Sequence, residues 1–244
     1  MVTAFRNLID VAGGGRGTGM FTPQGVDNPD PQATEGYFIG VDDASLGRLI
    51  LRRVSNPGGT PVLSPNLSIN VLGTAQPQTV DHRNNNNGNN GRLDALDDRL
   101  YAAQFRNGSI WTAHNIAVNN LGQVEAPRTR NAVRWYEIAG VATGNTPALA
   151  QAGTLFTASD NNTTNQRNFW IPALGVSGQG HMLLGCSVGG SNEYINAAIS
   201  GRLATDPQGS LQPATLISNS TTPYNPPGNS GNTTGRRRWG DYSY

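Results

Sequence analysis

The sequence predicts an all-β protein built from four-stranded antiparallel β-propeller blades. Three observations carry this. There is almost no segment with helical period. Short runs rich in Val, Ile, Leu, Tyr and Trp alternate with Gly, Asn and Pro. A set of four such runs then recurs about 70 residues further on, and a four-stranded unit buries its faces only by stacking on others like it.

The elements follow in order. Residues 1–35 read as an irregular N-terminal segment, because Gly13-Gly14-Gly15 and Asp27-Asn28-Pro29-Asp30-Pro31 favour turns. Strands are expected at 37–41, 48–54 and 67–72, the last three of a partial blade spanning 36–75. An Asn-rich loop at 76–98 contains Arg83-Asn84-Asn85-Asn86-Asn87-Gly88 and reads as a mobile excursion that buries no core face. A blade at 99–160 has strands at 100–105, 110–118, 133–138 and 150–156. A second, at 168–218, has strands at 169–176, 181–188, 194–200 and 211–217. Residues 236–244 start the next. Asn107-Gly108 and Ser177-Gly178-Gln179-Gly180 have the chemistry of hairpin turns. So few blades cannot close a ring of the usual minimum of about four. The chain therefore reads as a piece of a larger propeller, or as one that forms a homo-oligomer through its open blade edges.

Composition narrows the function classes. The 244 residues hold 17 basic and 16 acidic side chains, net +1, and every basic residue is Arg. That balance gives no electrostatic reason to expect nucleic acid or an anionic membrane, and Arg236-Arg237-Arg238 is too short to change this. No apolar run is long enough for a membrane span. The single cysteine, Cys186, excludes an internal disulfide framework and a Cys-based zinc site. A polar surface made mainly of Asn, Ser, Thr and Gln suits an extracellular or cell-surface protein whose signal peptide is not in this chain.

Several stretches carry a family resemblance: Leu93-Asp94-Ala95-Leu96-Asp97-Asp98-Arg99-Leu100, Trp111-Thr112-Ala113-His114-Asn115-Ile116, Arg134-Trp135-Tyr136-Glu137, Phe169-Trp170-Ile171-Pro172, Gly178-Gln179-Gly180-His181-Met182 and Arg238-Trp239-Gly240-Asp241-Tyr242-Ser243. Over residues 36–244 the chain resembles large secreted bacterial proteins with sialidase-like (BNR-type) propellers, of which it looks like a fragment. The resemblance implies a propeller, secretion and a bacterial source, and no defined activity. The sialidase hallmark Ser-x-Asp-x-Gly-x-x-Trp is absent; Ser159-Asp160-Asn161-Asn162 is its nearest echo.

Gly185-Cys186-Ser187-Val188-Gly189 matches a nucleophile elbow, yet His82, His114 and His181 all precede Ser187, where an α/β-hydrolase needs its histidine after the serine. The segment reads as a Gly-rich loop between strands. A trypsin-like set of His114, Asp160 and Ser187 leaves too little chain for a second barrel. A glycosidase needs two facing carboxyl groups, for which Glu137, Glu193 and Asp241 are candidates, with Tyr136 and Tyr242 beside them. Arg238, Trp239, Asp241 and Tyr242 would sit on a first strand lining the central channel, where an Arg, an aromatic and a carboxylate suit a sugar acid. The alternative is an Arg–Asp pair packing blade against blade. Trp111, Trp135, Trp170 and Trp239 read as inter-blade core. No cofactor is expected. Asp42-Asp43, Asp94 with Asp97-Asp98, and Asp160-Asn161-Asn162 offer oxygen ligands of the kind Ca²⁺ takes, without the Asp-x-Asp-x-Asp-Gly spacing. The expectation is a non-catalytic module that binds a carbohydrate or a surface protein, with a sialidase-like glycoside hydrolase as the alternative.

Overall fold

The computed structural model describes residues 9–10, 18–42, 44–158 and 166–226. Arg238, Trp239, Asp241, Tyr242, Asp43 and Asp160 lie outside them. The described residues contain no α-helix and form three antiparallel sheets. The first holds β1 (Ile9–Asp10), β2 (Thr18–Gly25), β3 (Glu35–Asp42), β4 (Arg48–Ser55), β5 (Val62–Leu63) and β6 (Leu67–Asn70), with β5 and β6 both pairing with β4. The second is a meander of β7 (Ala102–Arg106), β8 (Ser109–Val118), β9 (Arg130–Ala139) and β10 (Ala148–Leu155). The third repeats it with β11 (Asn168–Val176), β12 (Met182–Gly190), β13 (Glu193–Arg202) and β14 (Thr215–Leu216).

Side-chain alternation makes these sheets stack as blades. On β8 and β9, Ile110, Tyr136 and Ile138 face the first sheet and meet Tyr37, Ile39, Val41, Leu49 and Leu51. The intervening residues Trp111, Ala113, Val133 and Trp135 face the third sheet and meet Phe169, Met182, Leu184 and Val188. A strand apolar on both faces must be covered on both, and all ten residues of β8 are buried. Trp111 and Trp135 stack with ring centroids 5.9 Å apart. Gly153 lies across from Trp135 in the β10–β9 register, and a Cβ there would meet the indole Nε1 at 2.5 Å.

The first strands of the three sheets run side by side. Asp27, just past β2, forms a parallel bridge to Gln104 of β7. Gln104 Oε1 in turn accepts the Val176 N–H of β11 at 2.6 Å. With parallel first strands and alternating directions within each sheet, the connections between sheets and the second-to-third-strand turns emerge at one end. The first-to-second-strand turns, such as the Asn107-Gly108 turn, emerge at the other. Both residues of that turn take positive φ (52° and 83°), as a two-residue hairpin of primed type requires.

Three expectations change. The stretch expected to be irregular, 1–35, contributes β2, so the first sheet has its inner strand. Pro23 masks it: Phe21-Thr22-Pro23 breaks the alternation, and the register shifts between Phe21 and Gln24. Gly185–Gly189 is not a loop but the middle of β12, laddered on both sides. The last strand of the third sheet is only β14, two residues long, because 203–214 wraps in turns fixed by Asp206 and Gln212.

Candidate functional site

The connection from β6 to β7, residues 71–101, is the longest in the chain among the described residues, and its Asn-rich part, 76–98, was expected to bury no core face. It buries Val80, Leu93 and Ala95 against Tyr101, Trp170, Ile171 and Ile195. Val80 and Leu93 exchange two backbone hydrogen bonds (2.9 and 2.8 Å). The Asn run is cross-tied as well. Asn85 Nδ2 donates to Asp81 Oδ1 and Gly88 O, Asn84 Nδ2 donates to the Tyr194 hydroxyl, and Asn225 Nδ2 donates to Asn84 O. Asn side chains mimic backbone groups, so a run of them can satisfy a loop that has no ladder.

Two buried asparagines pin this connection to the blades. Asn131 of β9 exchanges hydrogen bonds with both backbone groups of Gln78. Asn115 of β8 donates to Ala95 O and Asp97 O and accepts the Ile171 N–H at 3.0 Å. Ile171 holds φ = 51°, costly for a β-branched residue, inside the β11 irregularity that precedes Ala173.

The pinned connection walls a cleft of about 750 Å³ against β2, β3 and the β3–β4 turn of the first sheet. Its apolar side is Phe21, Val41 and Leu46; its polar side is Asp42, Gln76, Asp97 and Asp98, with Ser45 at the turn. Asp42 is 3 % exposed, pairs with Arg48, and accepts the Ala44 N–H at 2.9 Å. Asp97 is gripped by Arg99 through Nε (2.7 Å) and a terminal nitrogen (2.6 Å). The Arg99 guanidinium also lies over Phe21, 5.7 Å from its ring centroid. Asp98 Oδ1 accepts the Gln76 amide at 2.8 Å. Behind it His114 and Tyr136 form a buried pair, rings 5.5 Å apart. Burial pushes His114 down to about 4, the Arg134 charge adding to the effect, and drives Tyr136 well above the usual phenol range.

The expected site residues are dispersed. Glu137 is bonded by the Gln151 amide at 2.6 Å and does not line the cleft. Glu193 is held by Arg167 through two 2.8 Å bonds. Tyr136 is committed to His114. Ser187 stands mid-strand opposite Trp170 and Ala197, and His114 has both ring nitrogens engaged elsewhere, so no nucleophile–base pair assembles. Cys186 is buried, which pushes its thiol up to about 12, away from thiolate chemistry. Trp111, Trp135 and Trp170 are buried core. Among the described residues no three His, Cys, Asp or Glu side chains converge to hold a metal ion, and no helix is long and apolar enough to cross a membrane. The sequence reading named Asp42, Asp97 and Asp98 only as oxygen ligands for Ca²⁺ and did not single out Phe21 or Gln76. The signal it passed over was Asn115 and Asn131 in the two central strands, since a buried amide must find partners.

No family model and no curated protein matches the chain. Among solved structures it is similar to the crystal structure of a GH43_12 retrieved from capybara gut metagenome, at 15% identity and a TM-score of 0.39. The likeness covers 84% of this chain and 31% of that one, so the chain spans about a third of the length of that structure.

Proposed function

We propose that this chain is a carbohydrate-binding propeller module whose ligand enters the cleft between the first sheet and the β6–β7 connection. The observation that carries the reading is the pairing, in one cleft, of an aromatic side chain, Phe21, with the carboxylates Asp42, Asp97 and Asp98 and the amide Gln76. Hydroxyl-rich ligands need fixed acceptors for their O–H groups and an apolar surface for their C–H faces, and a mostly apolar cleft with a few placed polar groups is the usual form of such a site. Arg238, Trp239, Asp241 and Tyr242 belong to the same proposal as further ligand contacts, with an acidic sugar as the class an arginine would favour. Extracellular or cell-surface location, a bacterial source and sialidase-type kinship are parts of it that rest on composition and on the motifs. The test is a glycan array followed by calorimetry on Phe21→Ala, Asp97→Asn and Arg238→Ala. A protein pull-down with hits and a silent array would overturn it in favour of a protein partner.

Glycoside hydrolysis is the second reading. Asp42 and Asp98 favour it, two nearly buried carboxyl groups lining one cleft. Turnover of chromogenic glycosides that disappears in Asp98→Asn would select it; turnover lost only in Asp241→Asn or Glu137→Gln would place the chemistry elsewhere.

A further inference from the structure

β8 outlasts its neighbour. β7 pairs with it only along residues 109–113, and the chain leading into β7, residues 95–101, runs irregularly. Side chains take over the missing bonds. Asn115 holds the carbonyls of Ala95 and Asp97, at 2.9 and 3.1 Å. His114, fully buried, meets the Asp98 carbonyl through Nδ1 at 2.5 Å and the Tyr136 hydroxyl through Nε2 at 3.0 Å. A carbonyl only accepts, so Nδ1 carries the proton and the neutral ring takes the Tyr136 O–H at Nε2. One imidazole thus spans from the β9 side chain to the backbone of a cleft-lining residue, and Asp98 is the residue whose carboxyl Gln76 holds in the cleft wall.

We propose that His114 is a positioning residue for the cleft, acting through Asp98 rather than on the ligand. The proposal rests on the cleft being the binding site. His114 sets the backbone of Asp98, Tyr136 sets the tilt and tautomer of His114, and the Asp98 carboxyl inherits both. The support is the same arrangement that orients a functional group through a second group behind it.

Two variants separate positioning from mere packing. His114→Leu keeps volume and removes both hydrogen bonds. His114→Asn places an amide N–H where Nδ1 stands and keeps the bond to Asp98 O. The readouts, on the full chain, are the titration of the Asp98 carboxyl carbon by ¹³C NMR and calorimetric binding of cellotetraose, xylotetraose and chitotetraose. In His114→Leu the Asp98 titration midpoint moves, and the best tetrasaccharide binds about tenfold more weakly. His114→Asn restores both to near the parent values. Tyr136→Phe, which leaves the Nδ1 bond in place, shifts Asp98 less than His114→Leu, and it serves as the comparison if the leucine variant does not fold. An Asp98 titration identical in the parent and the folded variants overturns the proposal, as does equal damage from Asn and Leu. If no tetrasaccharide binds the parent chain, neutral glycans of these three kinds are excluded as ligands while the Asp98 titration still decides the role of His114.

Discussion

Asn131 and Gln78 pair in both directions across the boundary between blade and connection. The Gln78 N–H donates to Asn131 Oδ1 at 2.7 Å, and Asn131 Nδ2 donates back to Gln78 O at 2.6 Å. Asn131 itself is fully buried. Asn131→Ala removes both bonds to Gln78, each of which contributes about 0.5–1.5 kcal/mol net. Urea unfolding is expected to show a loss of roughly that size or twice it. Amide exchange should accelerate first in residues 76–98. Uniform acceleration across all three sheets would contradict the assignment of Asn131 as an anchor of the connection.

His114 makes stability depend on pH. Its ring titrates near 4 when folded against an ordinary value of 6.5, so between those values the unfolded chain binds more protons than the folded one. Stability from this group therefore rises with pH from about 4 to 6.5, is flat above that, and is lost as pH falls through the window. The full effect is about 3 kcal/mol. Thermal melts at pH 4.5 and 7.5 should differ more for the parent than for His114→Asn, whose side chain does not titrate.

Gly153 is the flat place on which Trp135 lies. Gly153→Ala forces a methyl group against the Gly209 carbonyl oxygen as well as the indole and is expected to destabilise by about 1–3 kcal/mol, the usual penalty of overpacking. Gly175→Ala, on a face where a Cβ meets nothing within 4 Å, is the control and should leave the unfolding free energy within about 0.5 kcal/mol of the parent.

The Cys186 thiol should be silent toward Ellman's reagent at pH 8 in the folded chain and react fully in guanidinium. Burial both removes access and holds the group protonated. Rapid labelling of folded protein would mean that β12 opens far more readily than its two ladders suggest.

Phe21→Ala tests the cleft. Removing an aromatic face from a bound sugar is expected to weaken binding about tenfold, some 1.4 kcal/mol, without moving the melting temperature by more than a few degrees. A variant that binds as the parent does would exclude the apolar wall from recognition.

The fold was legible wherever period-two alternation met a clear turn. β7 to β9 and β11 to β13 lie within a few residues of expectation, because Asn107-Gly108 and the Ser177–Gly180 stretch mark their turns without ambiguity. β2 was hidden by Pro23, which breaks the alternation where the strand bulges. The connection was misjudged for a different reason. Its apolar anchors Val80, Leu93 and Ala95 are spread thinly among asparagines, and composition averages them away, whereas three residues in the right places are enough to seat a loop. The cleft is a tertiary product: Phe21, Asp42, Gln76 and Asp98 come from two strands and a connection, and no local pattern joins them. Glu137 and Glu193 looked accessible in sequence because nothing there reveals Gln151 or Arg167 as their partners.

Where the β8 ladder gives way to side chains, the energetics of opening change too. A strand leaves a sheet only by breaking a row of cooperative backbone bonds, but residues 95–98 meet β8 through the side chains of His114 and Asn115. This wall of the cleft is therefore expected to open before the three sheets do. A ligand that binds only the closed wall would be read out as slowed exchange in that short segment, long before any change in the melting temperature.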